Sequence, residues 1–67
     1  MTDEYELNTY QGGYATFTSP DGCHAQVLEM TESGDYKPLK TFRGETAWTD
    51  AERLCLDFVI KFVHSHP

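Results

Sequence analysis

The first 35 residues of the chain contain no lysine and no arginine, although they carry seven of its eleven acidic residues. All five basic residues lie between Lys37 and Lys61, and the net charge at pH 7 is -6. Proteins that bind nucleic acid or anionic membranes directly use lysine and arginine side chains to do so. The composition therefore predicts no direct binding to nucleic acid or to a membrane surface.

The chain also lacks the marks of a membrane or secreted protein. Asp57 and Lys61 interrupt its most apolar segment, which is far shorter than the roughly 20 residues of a membrane span. Residues 1–4 include two acids where a secretory signal would carry basic residues. Cys23 and Cys55 are the only cysteines and have no CxxC spacing. We expect a cytoplasmic protein with two reduced thiols, and a single disulfide between them is the alternative.

A chain of 67 residues forms one small domain, which we place over residues 1–67. Hydrophobic residues make up 39% of the sequence and aromatic residues 13%, which is typical of a folded protein rather than a disordered one. The sequence contains no internal repeat and no linker. We therefore expect a single small core.

Four segments between about residues 4 and 43 have the composition of strands separated by turns. Gly12-Gly13 and Ser19-Pro20-Asp21-Gly22 are typical of tight reversals. The third segment does not alternate cleanly, which predicts either a bulge near Val27 or partial cover on both faces. Pro38 marks the fourth segment as an edge strand. The predicted strands are 5–10, 14–18, 23–32 and 36–43.

The last third of the chain predicts one helix over about residues 49–64. Thr49 and Glu52 have the spacing of a capping box, and Trp48 precedes them as a hydrophobic staple. The fold class predicted is α+β, with an antiparallel sheet of three to four strands in ββββα order packed against one C-terminal helix.

The apolar residues of the helix span a wider arc than the roughly 100° that a helix packed on one sheet normally needs. One sheet cannot easily cover the whole of this arc. One part of the arc is predicted to join the core, together with residues of the strands and the staple. The predicted core residues are Phe17, Val27, Trp48, Leu54, Cys55, Phe58 and Phe62. A second part consists of Leu56, Val59, Ile60 and Val63. Either the strands or the C-terminal tail curl around this second part, or it is an interface for self-association or for a partner.

No group of residues has the pattern of a catalytic or metal site. Cys23 and His24 are neighbours on a strand and point to opposite faces, so they cannot form a nucleophilic pair. His64 and His66 lack further ligands at a recognisable spacing. Gly12-Gly13 has neither the lysine nor the following helix of a phosphate loop. We predict a non-enzymatic protein with no catalytic residues, no metal and no cofactor.

The acidic first half is the predicted partner-binding surface. Carboxylates that no basic residue compensates produce a negative field that attracts a basic surface, and tyrosine is favoured at protein interfaces. The candidate partner-binding residues are Asp3, Glu4, Glu6, Asp21, Glu29, Glu32, Asp35, Tyr10 and Tyr14.

In size, charge and predicted architecture the chain resembles the small acidic phage-encoded inhibitors of bacterial defence, among them the anti-CRISPR and DNA-mimic proteins. The resemblance rests on no diagnostic motif. It implies that carboxylates imitate phosphates and occupy a basic nucleic-acid-binding surface of a protein complex, such as a CRISPR effector, in the cytoplasm of a bacterial host. The alternative is a small homodimeric bacterial accessory or regulatory module that uses its helix as the interface.

Overall fold

A computed structural model of the protein describes residues 4–65. Four antiparallel strands precede one C-terminal helix, which confirms the predicted α+β class and ββββα order. The elements are β1 (Glu6–Thr9), β2 (Tyr14–Thr18), β3 (His24–Met30), β4 (Tyr36–Arg43) and α1 (Ala47–Ser65). Within residues 4–65, no helix combines the length and the apolar character that crossing a bilayer would require.

The four strands lie side by side in chain order, and each is antiparallel to the next. Gly12 and Gly13 have φ angles of 87° and 85°, in the left-handed region that glycine adopts without steric cost. They form the predicted reversal between β1 and β2. The observed β2 and β4 have the predicted bounds, whereas β1 and β3 are shorter than predicted.

The predicted irregularity near Val27 is a bulge, and the extra residue belongs to β4. Val27 pairs with Lys40 and Leu28 pairs with Pro38, which leaves Leu39 without a partner. Val27 and Leu28 are both buried although neighbours in a strand face opposite ways. The bulge predicted for the third strand therefore lies in its partner β4 instead, and the prediction that both faces of the third strand are partly covered is confirmed. The bulge and Pro38 lie in an edge strand, as expected for features that oppose further strand pairing.

The helix begins at Ala47, two residues before the predicted start. The Asp50 amide donates to the Thr46 carbonyl at 2.8 Å, and the Thr46 hydroxyl donates to the Asp50 carboxylate at 2.9 Å. The predicted capping box is wrong, because Thr49 already lies inside the first turn. A capping residue must stand where the chain enters the helix, and Thr46 occupies that position.

One face of the sheet packs against α1, and the buried core lies between them. Its fully buried members are mostly small, so the helix approaches the sheet closely. They are Ala25, Val27, Ala47, Ala51 and Cys55. The partly buried residues packed around this cluster are Tyr10, Tyr14, Phe42, Leu54 and Phe58. Within this arrangement, the predictions for Val27 and Cys55 are confirmed.

Two large side chains predicted for the core are exposed instead. Phe17 is 36% exposed, because its position in β2 turns it to the sheet face that the helix does not cover. Trp48 is 52% exposed, because the early start of the helix places it in the first turn, beside the β2–β3 connection. Leu54, Phe58 and Phe62 are only half-buried.

The helix runs the length of the sheet. At its start, the Trp48 amide donates to the Gly22 carbonyl at 3.3 Å. Near its end, Phe62 lies so close to Gly12 that a Cβ atom at Gly12 would come within 2.9 Å of the Phe62 Cγ atom. The β2–β3 turn therefore lies beside the N-terminus of α1, and the β1–β2 turn lies near its C-terminal end.

Candidate functional site

The structure divides the predicted acidic surface into two groups at opposite ends of the sheet. Glu4 and Glu6 lie at the start of β1, which pairs with the end of β2, and Asp21 lies in the β2–β3 turn at this same end. The other group lies at the end of β3 and in the β3–β4 turn. It contains Glu29, Glu32 and Asp35. Asp3, the seventh predicted acid, lies outside the described residues.

Two members of the first group, Glu6 and Asp21, line a cleft of about 330 Å³ that is open to solvent. The cleft lies between the start of β1, the end of β2, the β2–β3 turn and the first turn of α1. Its lining residues are Glu6, Thr18, Ser19, Pro20, Asp21, Gly22 and Trp48. Two carboxylates and one indole ring therefore line the same cleft.

The β2–β3 turn holds the Asp21 carboxylate in place. The Ser19 hydroxyl donates to Asp21 Oδ1 at 2.6 Å, and the Cys23 amide donates to the same oxygen at 2.9 Å. Ser19 is itself fixed, since its Oγ accepts from the His24 amide at 3.0 Å. These hydrogen bonds, chiefly that from Ser19, lower the pKa of Asp21 below its usual value. Asp21 is thus an oriented, ionised carboxylate at the edge of the cleft.

Trp48 is the member of the cleft that the sequence analysis assigned to the core. Its Cβ atom lies 3.9 Å from the Cβ position of Gly22, so the side chain leaves the helix next to the turn. An indole ring beside carboxylates is suited to a cation, which the ring attracts through its quadrupole and the carboxylates through their charge. The missed signal was Thr46, which lies four residues before Asp50 and directly before the helix. Because the helix starts at Ala47, Trp48 lies in its first turn and need not face the core.

Contacts within the protein engage two of the three acids in the second group. Glu29 forms an ion pair with Lys37 across β3 and β4, with 3.8 Å between Oε1 and Nζ. Asp35 accepts a hydrogen bond from the Ser33 hydroxyl at 3.2 Å. Glu32 lies exposed in the same turn. This end therefore offers two exposed carboxylates, on a turn rather than in a cleft.

The two tyrosines predicted to contact a partner face the helix. Tyr10 and Tyr14 are half-buried and pack against the core cluster. The Tyr14 ring also stacks on Phe58. The exposed aromatic pair on the opposite face is Tyr5 and Phe17, whose ring centroids are 5.0 Å apart.

The second apolar part of the helix is not covered by the sheet. Leu56, Ile60 and Val63 are 42%, 53% and 42% exposed, and Val59 is half-buried. The prediction that the strands curl around these residues is therefore wrong, because the four-stranded sheet covers only one side of the helix. Their role as an interface stays a prediction.

The described residues include no cluster of three or more histidine, cysteine, aspartate or glutamate side chains that could hold a metal ion. Both cysteines are free thiols, half-buried at Cys23 and fully buried at Cys55. His66 lies outside the described residues. No protein-family model, no curated protein and no solved structure matches this chain.

Proposed function

We propose that this protein is a non-enzymatic binding protein whose cleft receives a lysine or arginine side chain from a basic partner surface. The observation that carries the proposal is that Glu6 and Asp21 line one cleft together with the exposed indole of Trp48. A cationic side chain can contact the ring with its aliphatic stem or charged head, and the carboxylates with its N–H groups.

The turn that holds Asp21 favours such binding. Its carboxylate is already oriented by Ser19 and Cys23, so binding need not restrict it further. A cation over an exposed aromatic ring contributes about 0.5–1 kcal/mol, and an exposed ion pair about 0.2–1 kcal/mol. One cleft therefore supports modest affinity, and a strong complex needs further contacts around it.

The partner class that we propose is a basic nucleic-acid-binding surface of a bacterial protein complex, such as a CRISPR effector. The net charge of -6 and the absence of lysine and arginine from residues 1–35 support this class, because a basic channel attracts a negative surface over long distances. Glu4 adds an exposed carboxylate two residues before Glu6 in the chain. Nucleic acid should then compete with this protein for the partner without binding the protein itself.

Trp48 is the only tryptophan in the sequence, so its fluorescence reports directly on the cleft. We expect an octa-arginine peptide to change the Trp48 emission at 0.1 M salt, and this change to be lost near 1 M, where the Debye length falls to about 3 Å. The double variant Glu6→Gln with Asp21→Asn should lose most of the response. The control, Glu29→Gln with Glu32→Gln, removes the same charge at the other end of the sheet and should retain it.

Equal responses from the two double variants would show that general negative charge, rather than the cleft, binds the peptide. The same proteins should then be used to capture partners from a lysate that contains CRISPR and restriction complexes, with duplex DNA as competitor. A captured complex that DNA does not displace, or that binds the Glu6→Gln, Asp21→Asn variant as well as the parent, would contradict the proposal.

A second candidate function, a homodimeric accessory module that pairs through its helix, is favoured by the exposure of Leu56, Ile60 and Val63. Their spacing of three and four residues gives a continuous stripe along α1. Ile60→Glu tests this candidate, because a charge in the stripe should prevent helix pairing and leave the fold intact. An unchanged molecular mass in solution would exclude the helix as the dimer interface.

A further inference from the structure

The two end strands of the sheet differ in how strongly they oppose the addition of a further strand. β4 carries Pro38 and the bulge at Leu39, and both interrupt the hydrogen-bonding groups along its outer side. The residues of β1 include no proline and no lysine, and its register with β2 is continuous. Of the two edges, the outer edge of β1 is therefore the one suited to receive a strand.

The strand pairing shows that Pro38 protects the outer side of β4. The Thr31 amide donates to the Asp35 carbonyl at 2.6 Å, so these residues form a hydrogen-bonded pair. Bonded and non-bonded pairs alternate along an antiparallel ladder, and Pro38, three residues after Asp35, therefore belongs to a non-bonded pair with Leu28. Its backbone faces outward, where proline offers no N–H group to another strand.

The same rule identifies the outward-facing backbone groups of β1. The Tyr10 amide donates to the Tyr14 carbonyl at 2.7 Å, so this pair is hydrogen-bonded. Two residues earlier, Asn8 also directs its N–H and C=O groups toward β2, whereas Leu7 and Thr9 direct theirs toward the open edge. β1 therefore presents two N–H and two C=O groups on its outer side, with the spacing of an antiparallel ladder.

The two faces of β1 specify different side chains in an added strand. On the helix side, Glu6 lines the cleft. On the other face, Leu7 is 46% exposed beside the stacked rings of Tyr5 and Phe17. Within residues 4–65, α1 packs against β2, β3 and β4 but not against β1, so the helix side of β1 is open to an incoming side chain.

The distances across a sheet define the matching residues. Directly opposed side chains have Cβ atoms about 4.5–5.5 Å apart, so the charged head of a lysine or arginine opposite Glu6 can reach its carboxylate. An aliphatic residue opposite Leu7 would extend the apolar surface formed with Tyr5 and Phe17. The edge therefore matches a segment in which basic and aliphatic residues alternate.

From this geometry we infer that an extended basic segment of the partner adds to β1 as a further, antiparallel strand, with lysine or arginine opposite Glu6 and an aliphatic residue opposite Leu7. The inference rests on the proposed function, because the basic residue opposite Glu6 is the one that enters the cleft. Backbone hydrogen bonds to Leu7 and Thr9 supply the further contacts that a strong complex needs, as in other proteins that bind peptides at a sheet edge.

A second copy of this protein does not match the same edge. Its own β1 has no lysine or arginine to place opposite Glu6. Its β4 carries Lys37 and Lys40, but Pro38 and the bulge interrupt the outer side of that strand. Charge complementarity therefore favours a different, basic chain.

Two N-methylated peptides test strand addition. The probe is a capped octapeptide in which arginine and valine alternate. With valine opposite Leu7 in an antiparallel strand, the valine N–H groups face β1 and the arginine N–H groups face away. N-methylation of the valines should weaken binding about tenfold or more, and N-methylation of the arginines by no more than about threefold. Both peptides have the same side chains and charge, so binding in the cleft alone would not distinguish them.

NMR titration of the full chain at low salt measures the affinity and locates the contact. In the free protein the amides of Leu7 and Thr9 should exchange rapidly with water, because they point away from β2. At a peptide concentration about ten times the dissociation constant, their exchange should slow by about tenfold. The Asn8 amide, which already faces β2, should change little.

Thr9→Pro is the matching change in the protein. Proline at this position removes an outward N–H group and leaves the hydrogen bonds to β2 in place. The variant should bind the unmethylated peptide about tenfold more weakly, with its circular dichroism unchanged. Thr9→Val keeps the N–H group and is the matched control, which should bind as the parent does. Should Thr9→Pro not fold, the two N-methylated peptides still decide the question, because they are measured on the parent.

Equal affinities for the two N-methylated peptides would overturn strand addition and leave the cleft proposal standing. Tighter binding of the valine-methylated peptide would overturn the antiparallel arrangement. Slow exchange of the Leu7 and Thr9 amides without peptide, lost on dilution, would show that a second copy occupies the edge. A peptide preference that persists when octa-arginine leaves the Trp48 emission unchanged would support strand addition while the cleft proposal fails.

Discussion

The Tyr14 ring stacks on the Phe58 ring, with centroids 5.3 Å apart and ring planes 11° from parallel. Tyr14 begins β2 and Phe58 lies in the middle of α1, so the pair joins the sheet to the helix beside the small-residue core. Stacked aromatic pairs stabilise a fold beyond the area that they bury. This contact also explains why Tyr14 faces inward rather than toward a partner.

Phe58→Ala should therefore lower the free energy of unfolding by about 2–3 kcal/mol, somewhat less than the usual cost for a fully buried phenylalanine because Phe58 is only half-buried. Urea denaturation measures the loss. Ile60→Ala, two residues away on the exposed side of the helix, is the control and should cost less than about 1 kcal/mol. Equal losses would mean that the stacked pair adds little to the stability of the fold.

The start of the helix can be tested with two threonines. Thr46→Ala removes the hydroxyl that donates to Asp50 and should lower the free energy of unfolding by about 0.5–1 kcal/mol. Thr49→Ala should be neutral or slightly stabilising, because alanine is a better helix former than threonine inside a turn. A larger loss in Thr49→Ala than in Thr46→Ala, measured by thermal unfolding, would support the capping box that the structure contradicts.

The Thr16 hydroxyl is buried and has no hydrogen-bond partner in the described part of the chain. A buried polar group that lacks a partner costs about 1–3 kcal/mol. Thr16→Val keeps the shape of the side chain and removes this group, so we expect it to raise the free energy of unfolding by about 1 kcal/mol. A destabilised Thr16→Val protein would show that the hydroxyl is satisfied in solution, for example by a bound water.

Cys55 should be unreactive in the native protein. Its side chain is fully buried, and burial raises the pKa of the thiol to about 11. At pH 8 a thiol reagent should label Cys23 and modify Cys55 only when the protein unfolds. Mass spectrometry of the labelled protein counts the modified sites, and rapid labelling of both cysteines would contradict the packing of α1 on the sheet.

The same raised pKa makes the stability depend on alkaline pH. The folded state holds the Cys55 proton more tightly than the unfolded state, whose thiol has the usual pKa of 9.0. The contribution of Cys55 is therefore complete below pH 9 and is lost as the pH rises toward about 11. Urea denaturation over this range should show the decline in the parent and a smaller one in Cys55→Ala, with Cys23→Ala as the control.

The predictions from the sequence succeeded for elements whose signals are local. The glycine pair before Tyr14 and the alternating residues after it define β2, and β4 was predicted with both its ends. The irregularity at Val27 was visible as two neighbouring apolar residues, because each needs cover on its own face. The sequence could not show whether this reflected a bulge or side chains covered on both faces of the strand. That depends on how β3 pairs with β4, which no local pattern reveals.

The candidate site was only partly predictable. Composition identified Glu6 and Asp21 among seven acids, but could not separate the two that share a cleft from those at the far end of the sheet. Trp48 was assigned to the core because its hydrophobicity favours burial. Its exposure follows from a helix that starts at Ala47 and directs the indole along the β2–β3 turn.

Local patterns therefore predicted the order of the strands and the helix along the chain, since alternation, turn glycines and helical periodicity each involve only a few neighbouring residues. Composition alone gave the excess of negative charge. Packing decided the rest. One helix can cover only one face of a four-stranded sheet, so the fold leaves Phe17 and Leu7 exposed on the other face and Ile60 on the outer side of the helix. The same packing brings Glu6, from the first strand, to the cleft beside Trp48, 42 residues later in the chain. Contacts between segments so far apart depend on the whole fold, which is why they could not be read from either segment alone.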